Sequence, residues 1–318
     1  REGAAEGGCG GNSAAPERLA SLPPSLFSLG RASKKGSRKC YNDSAMKQKI
    51  GVVGLGMVGA QAERYFRSKK FEVFGHDKFR KIGSLKVVDN AKIIFLCLPT
   101  PYNEKTGYNT DILQSVIEFF EKPKIFVIKS TVLPGTTDAL QKKYAQHYFL
   151  HNPEFLRDAS AWKDFIASHI QIVGYTAKSK RFAKKILSIL PLAPHRKIFT
   201  AKTTESIKLV NNSFLSLRVA FANEIYDITK KIGVDYDSVR DSIGRDARIG
   251  TSHFDVWSGG YRGFGGKCLP KDLKALIYFI RKNNSNGKVL EAADEENLKL
   301  LKKQKLMGRL DEWLDNKS

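Results

Sequence analysis

Apolar positions along the chain come in short runs separated by polar stretches that carry glycine and proline. Such runs predict strands over 49–53, 71–77, 93–98, 125–130, 148–151, 170–174 and 198–200, alternating with helical stretches. Alternation of that kind is the signature of a parallel sheet wrapped on both faces. From residue 203 the pattern changes. A long helix is predicted over 205–232, with apolar residues at Ile207, Val210, Phe214, Leu217, Phe221 and Ile225 in three- and four-residue steps and Gly233 to stop it. Further helices follow over 234–243, 270–281 and 289–310, with a glycine-rich loop over 250–266. No strand is expected beyond residue 201. The fold class is therefore α/β: a Rossmann-type doubly wound parallel sheet over 46–202, then an all-helical second domain over 203–318, joined through the long central helix.

Residues 1–45 depart from this pattern. They are rich in Gly, Ala, Ser and Pro, include Pro23-Pro24 and end in a basic cluster from Arg31 to Lys39. This composition predicts disorder, either as a transit peptide or as read-through upstream of a start at Met46. Folding is expected to begin just after Met46.

Charge narrows the partners. Lys and Arg number 54 against 32 Asp and Glu, a formal net charge of +22, which attracts polyanions. The basic residues are scattered without aromatic interleaving, which favours small anionic ligands such as nucleotide cofactors and sugar nucleotides over nucleic acid. Four cysteines, Cys9, Cys40, Cys97 and Cys268, show neither CxxC spacing nor a disulfide frame. A reducing, cytoplasmic location and no metal site are the expectation. No apolar run approaches the ~20 residues that span a bilayer, so a soluble protein is expected.

Two stretches carry chemistry. After the first strand comes Gly54-Leu55-Gly56-Met57-Val58-Gly59, and the second strand ends in Asp77, 18 residues past Gly59. Strand, glycine turn, helix and a distant acid form a dinucleotide-binding pattern: pyrophosphate on the helix N-terminus, ribose hydroxyls on the carboxylate. An acid with no arginine directly after it favours NAD over NADP. Ligands of open α/β sheets collect at the carboxyl ends of strands, which would put Thr100, Thr131 and Glu154 in one crevice, although each threonine alone is better read as an ordinary loop or cap residue. The second stretch is Gly263-Phe264-Gly265-Gly266-Lys267-Cys268-Leu269-Pro270-Lys271-Asp272. Glycines allow close approach of backbone to ligand, Pro270 suits a first helical turn and Lys271 can favour thiolate at Cys268. A flexible loop with a buried cysteine fits the decapeptide equally well. On the long helix Lys208 and Asn212 are i and i+4 and share a face, ordinarily a solvated one.

Taken together these motifs resemble the UDP-glucose/GDP-mannose dehydrogenase family. Gly54 to Gly59, Leu98-Pro99-Thr100-Pro101, Lys129 to Thr137, Asn152-Pro153-Glu154-Phe155-Leu156-Arg157, Glu205 to Asn212, Ala220-Phe221-Ala222-Asn223-Glu224 and Gly263 to Asp272 occur in that family's order. The resemblance implies NAD as cofactor, bound by Gly54, Gly56, Met57, Val58, Gly59, Asp77, Thr100, Thr131 and Asp158. It implies Cys268 as nucleophile, Lys208 and Asn212 as the oxyanion-stabilising pair, Glu154 as general base, and Asp272 with Thr131 as the residues placing a catalytic water. Phe155, Leu156, Phe264 and Gly265 fall at substrate-loop positions, and Arg248 at that of an arginine reaching into the partner subunit of a homodimer. Asp158 stands where family members usually carry Glu, and the stretch between Asp77 and Ile93 is short. Long members continue, beyond the position of Ser318, into a third Rossmann-like domain that grips uridine diphosphate.

The implied activity is oxidation of a nucleotide sugar, UDP-glucose to UDP-glucuronate, by two hydride transfers through a Cys268 thioester. A one-step β-hydroxyacid-type dehydrogenase is the alternative among enzymes, and Cys268 argues against it because that chemistry has no use for a thiol. A non-catalytic NAD-binding protein is the alternative from another class.

Overall fold

The computed structural model describes residues 48–315, which belong to one compact unit. The leader expected over 1–45, the start at Met46, Cys9 and Cys40 lie outside the described residues. The strands are β1 (Lys49–Val53), β2 (Glu72–His76), β3 (Ile93–Leu96), β4 (Tyr102–Asn103), β5 (Gly107–Tyr108), β6 (Ile125–Ile128), β7 (Tyr148–His151), β8 (Ile170–Tyr175) and β9 (His195–Thr200). Between them lie helices α1 (Met57–Ser68), α2 (Leu85–Val88), α3 (Asp111–Glu118), α4 (Thr136–Lys143), α5 (Ala161–Ile166) and α6 (Lys180–Ile189). After β9 the described chain is helical: α7 (Ala201–Lys231), α8 (Tyr236–Gly244), α9 (Leu269–Lys282), α10 (Lys288–Lys303) and α11 (Met307–Asp315).

Seven strands form one sheet in the order β2-β1-β3-β6-β7-β8-β9. Central strands read as unbroken apolar runs because both faces are covered. Side chains alternate between faces: Ile50, Val52, Ile93, Phe95, Ile125, Val127 and Leu150 enter one core, while Val53, Ile94, Leu96, Phe126, Ile128 and Phe149 enter the other. Pairing is parallel from β2 through β7, with Val53 beside Leu96 and Leu96 beside Ile128. The carboxyl ends of β1, β3, β6 and β7 therefore share one edge.

The sheet departs from the expected parallel arrangement at one junction, where β8 runs antiparallel to β7. Periodicity specifies which side chains are buried but not which way a strand runs. A second addition is the small antiparallel hairpin of β4 and β5, whose two-residue strands are too short to carry an alternating pattern.

Helix α7 begins at Ala201, where the Thr200 hydroxyl accepts from the Thr203 N–H. It ends as Gly233 predicts: Gly233 takes φ +73° and Val234 N–H returns to Thr229 O at 2.9 Å, a Schellman closure. Its first half buries mostly polar residues, Thr204, Glu205, Lys208, Asn212, Ser213 and Ser216, beside the apolar Leu209. Of the apolar positions that predicted the helix, Val210, Phe214 and Phe221 are each more than half exposed, whereas Ile225 packs against Ala222, Tyr236, Phe254 and Val256. The expected helix over 289–310 is broken into α10 and α11 at Lys305, which adopts φ +60° while Leu306 N–H bonds Leu301 O at 2.9 Å. A lysine in the position glycine usually takes gave no stop signal.

Candidate active site

The β1–α1 turn has the shape a dinucleotide requires. Gly54 sits at φ +86°, and a Cβ there would lie 2.4 Å from Cys97 O. At Gly59 a Cβ would fall 1.7 Å from Gly54 O, so the helix can approach the strand this closely only without one. Around Gly56, the N-cap of α1, a Cβ would meet nothing within 4 Å, which leaves the helix N-terminus open to an anion. Met57 and Val58 form the first turn of that helix. Asp77 follows β2 and its carboxylate accepts from Leu55 N at 2.7 Å and Arg80 N at 2.9 Å. Burial opposes its charge, but the N–H groups of Arg80, Leu55 and Phe79 outweigh burial and hold its carboxyl below the ordinary range. These residues fit a bound dinucleotide: an open cradle at the helix end and an ionised carboxylate joined to the same turn.

Neighbouring strand ends bring the two threonines together. Thr100 donates through Oγ1 to Thr131 O at 2.7 Å, and Ser130 Oγ donates to Leu98 O at 2.7 Å. Cys97, at the end of β3, has its thiol pushed up to about 12 by burial. It is a packing thiol.

A second cluster joins three separate parts of the chain. Lys208, 3 % exposed on α7, donates to Glu154 Oε1 at 3.2 Å and to Asn212 Oδ1 at 3.3 Å. Asn212 turns its amide to Asp272 Oδ2 at 2.6 Å. Asp272, fully buried in the first turn of α9, stands one turn after Cys268, whose backbone O accepts from Asp272 N. Glu154 is fixed from its other side by Leu156 N at 2.6 Å, and the Phe155 ring centre lies 5.4 Å from Lys208 Nζ. The face shared by Lys208 and Asn212 is thus buried.

Electrostatics divides the cluster. Burial alone would lower the pKa of Lys208, but the charges of Glu154, Asp272 and Cys268 outweigh it and the ammonium is held more firmly than usual. Cys268 keeps an exposed surface, yet its thiol is raised, chiefly by loss of water around the sulfur. Lys271 and Lys208 pull it down, while Asp272 and Glu154 push it up. The expected thiolate-favouring effect of Lys271 is present but does not win, because loss of water around the sulfur is the larger effect.

Other expected residues take separate places. The Phe264 backbone is clamped by Asn297, which accepts from Phe264 N at 2.7 Å and donates to Phe264 O at 2.9 Å, and its ring is buried with Val219, Leu273 and Ile277. Gly265 lies beneath Tyr261 and Trp313, and a Cβ there would be 2.3 Å from the Tyr261 hydroxyl. Asp158 is exposed at the start of a short 3₁₀ turn. Arg248 is exposed and paired with Asp246 at 2.6 Å. Among the described residues neither is drawn into the Cys268 cluster by a hydrogen bond.

Three residues near the cluster escaped the sequence reading. Tyr108, on β5, donates to Asp272 Oδ1 at 2.5 Å. Lys129, buried, donates to Asn152 Oδ1 at 2.8 Å, and its pKa is lowered by burial. Glu205 accepts from Gly135 N and Thr137 N. Lys129 and Glu205 both lie inside motifs already quoted, so a signal existed for them. For Tyr108 only its place between paired loops would have told. Among the described residues no group of three or more His, Cys, Asp or Glu could hold a metal ion, and no helix is long and apolar enough to cross a membrane.

Comparison with known proteins places this arrangement. Residues 83–190 match the NAD binding domain of the UDP-glucose/GDP-mannose dehydrogenase family and residues 202–299 its central domain, so NAD is the cofactor. The UDP-glucose 6-dehydrogenase of Rickettsia felis is 34 % identical over 268 residues, covering 80 % of this chain and 58 % of that protein. The UDP-N-acetyl-D-mannosamine dehydrogenase of Methanocaldococcus jannaschii is 27 % identical, covering 79 % of this chain and 65 % of that protein. Among solved structures, a UDP-glucose dehydrogenase from the hyperthermophilic archaeon Pyrobaculum islandicum superposes with a TM-score of 0.72 at 25 % identity, covering 85 % of this chain and 72 % of that one. The chain thus spans less than two thirds of the length of these two curated relatives. With both domain matches and a glycine turn, an acid and a cysteine loop in the family's order, the chain belongs to the UDP-glucose/GDP-mannose dehydrogenase family.

Proposed function

We propose that this chain oxidises the primary alcohol of a nucleotide sugar to the carboxylic acid, with UDP-glucose to UDP-glucuronate as the specific reaction. What carries the reading is the hydrogen-bonded set Glu154–Lys208–Asn212–Asp272 set one helical turn from Cys268. When bound, NAD⁺ supplies the hydride acceptor for each of two oxidations. Gly54 to Gly59 and Asp77 would hold it, with Thr100, Thr131 and Asp158 as further contacts. A water placed by Thr131 and Asp272 takes the hydroxyl proton in the first oxidation. Cys268, deprotonated on approach to the carbonyl carbon, then forms a C–S bond, and the carbonyl oxygen becomes the oxyanion of a thiohemiacetal. Lys208 and the Asn212 amide stabilise that oxygen, an effect of about 3 kcal/mol per donor. Loss of the second hydride leaves a thioester. Water, deprotonated with help from Glu154, attacks it, the C–S bond breaks and the Cys268 thiol is regenerated.

Phe155, Leu156, Phe264 and Gly265 border the sugar in this reading. The exposed apolar row Val210, Phe214 and Phe221 on α7, continued by Ile228 and Ile232, supports a homodimer packed on that helix, with Arg248 reaching the partner's site. Names of the relatives cover both UDP-glucose and UDP-N-acetylmannosamine substrates. The direct test is purified chain with NAD⁺ and a panel of UDP- and GDP-sugars, followed by NADH absorbance. NADH formed with UDP-glucose supports the specific reading, NADH with another sugar only corrects the substrate, and none with any of them overturns the activity.

A further inference from the structure

Asp272 is the most heavily bonded carboxylate in the cluster. It is fully buried, and it receives Asn212 Nδ2 from α7, Lys271 Nζ from its own helix and the Tyr108 hydroxyl from the β4–β5 hairpin. Tyr108 is 4 % exposed, and its ring packs with Leu209 and Ala275. Its face lies 4.7 Å from Lys271 Nζ. The hairpin is itself pinned to α9, because Tyr278 donates to Lys105 O at 2.8 Å. A phenol brought from 164 residues away thus occupies one oxygen of the carboxylate that stands a single turn from the thiol.

We infer that Tyr108 is a positioning residue of this site, which orients Asp272 and, by donating to it, offsets the negative field that Asp272 exerts on Cys268. The Cys268 role in chemistry rests on the function proposed above, whereas the electrostatic coupling does not. Ionisable groups acting on the Cys268 sulfur include Lys271 and Asp272 from α9, Lys208 from α7, Glu154 from the loop after β7, and Tyr108 from the hairpin, and Lys267 precedes it in the chain. Tyr108 stays protonated because burial and the Asp272 charge raise it well above its ordinary value. It therefore acts as a fixed O–H dipole, positive end toward Asp272. Loss of that dipole leaves more of the carboxylate charge to disfavour thiolate.

The test is the pH profile of iodoacetamide alkylation at Cys268, read on its own peptide by mass spectrometry so that the other cysteines do not enter. No substrate or cofactor is added. Tyr108→Phe keeps the ring and its contact with Lys271 and removes only the hydroxyl. The expected result is an upward shift of the alkylation pKa by about half to one unit, or about three- to tenfold slower reaction at pH 7. Replacing Tyr108 by 3-fluorotyrosine makes the hydroxyl a stronger donor and is expected to shift the profile down. Opposite signs would not arise from lost packing. A Tyr108→Phe profile that coincides with the wild type overturns the inference, as does an upward shift with both replacements. Should Tyr108→Phe fail to fold, the fluorinated protein decides alone: a downward shift supports the inference, an unchanged or raised profile overturns it. If the wild-type chain makes no NADH with any sugar, the proposed function falls and the alkylation profile still decides Tyr108.

Discussion

Glu205 on α7 accepts from the backbone N–H of Gly135 at 2.6 Å. Its other oxygen accepts from Thr137 N at 2.8 Å, so one side chain caps α4 from outside its own helix. Gly135, the N-cap residue of α4, has no side chain with which to do so. The carboxylate is fully buried, and burial raises its pKa. Three residues on comes Lys208, and four residues before Gly135 comes Thr131. The cap therefore fixes the loop carrying Thr131 against the helix carrying Lys208. Glu205→Ala orphans the buried Thr137 N–H and the half-buried Gly135 N–H and is expected to cost about 2–3 kcal/mol, or about 5–10 °C in melting temperature. Glu205→Gln, which keeps one acceptor, should fall between. A melting temperature within 2 °C of wild type for Glu205→Ala would remove the cap's importance.

His151 makes stability depend on pH. It is fully buried at the end of β7, its Nδ1 lies 2.8 Å from Thr204 Oγ1, and its Nε2 has no hydrogen-bond partner among the described residues. Burial lowers its pKa from 6.5 to about 3. Between those values the unfolded chain binds a proton that the folded chain refuses, so stability rises with pH there. The contribution is complete above pH 6.5 and is lost as pH falls toward 3, at up to about 1.4 kcal/mol per unit. Denaturant titrations of wild type and His151→Gln between pH 7 and 5 should show the wild type losing more, and parallel losses would count against the assignment.

How far the sequence reached depends on what each residue's partner was. Ile93–Leu96 and Ile125–Ile128 were legible because both faces of each strand are buried. The turn at Gly54 was legible because only glycine fits there, and Cys268, Lys208 and Asn212 because their spacing repeats a family's motifs. Tyr108 was not, since its significance lies in a hydroxyl meeting Asp272 across 164 residues. Helix α7 shows the same limit. Its periodicity was legible as a helix, but not that Thr204, Glu205, Lys208 and Asn212 are buried while Phe214 and Phe221 face out, which is set by contacts with α9, α10 and β8.

That outward apolar row has a consequence of its own. Phe214 is 56 % exposed and Phe221 51 %, and their seven-residue spacing keeps them on one side of α7. With the dimer proposed above, Phe214→Asp together with Phe221→Asp should give a monomer by sedimentation velocity at micromolar concentration. Circular dichroism should be unchanged, because neither side chain is buried within the chain. If Arg248 acts across the interface, that monomer should also lose most turnover. A wild type that sediments as a monomer while turning over would sink both the interface and the Arg248 assignment.

Stoichiometry separates the proposed chemistry from its alternatives. If Cys268 holds the intermediate, each nucleotide sugar consumed yields two NADH and one uronic acid, and an added amine traps no aldehyde. A one-step dehydrogenase gives one NADH, and a binding protein none. Because the Cys268 thiol is held above its ordinary value, the fraction of thiolate and the rate of thiohemiacetal formation should rise with pH through that elevated value. Cys268→Ala should abolish acid formation. Its NAD⁺ affinity should stay within about twofold of wild type by calorimetry, since Asp77 and the open helix end at Gly56 belong to the sheet and not to α9. Lys208→Ala should slow both oxidations, because the charge of each develops on the same oxygen, by about 10²-fold or more. Undiminished uronic acid from Cys268→Ala would rule out the covalent route, whatever the rate of the first NADH.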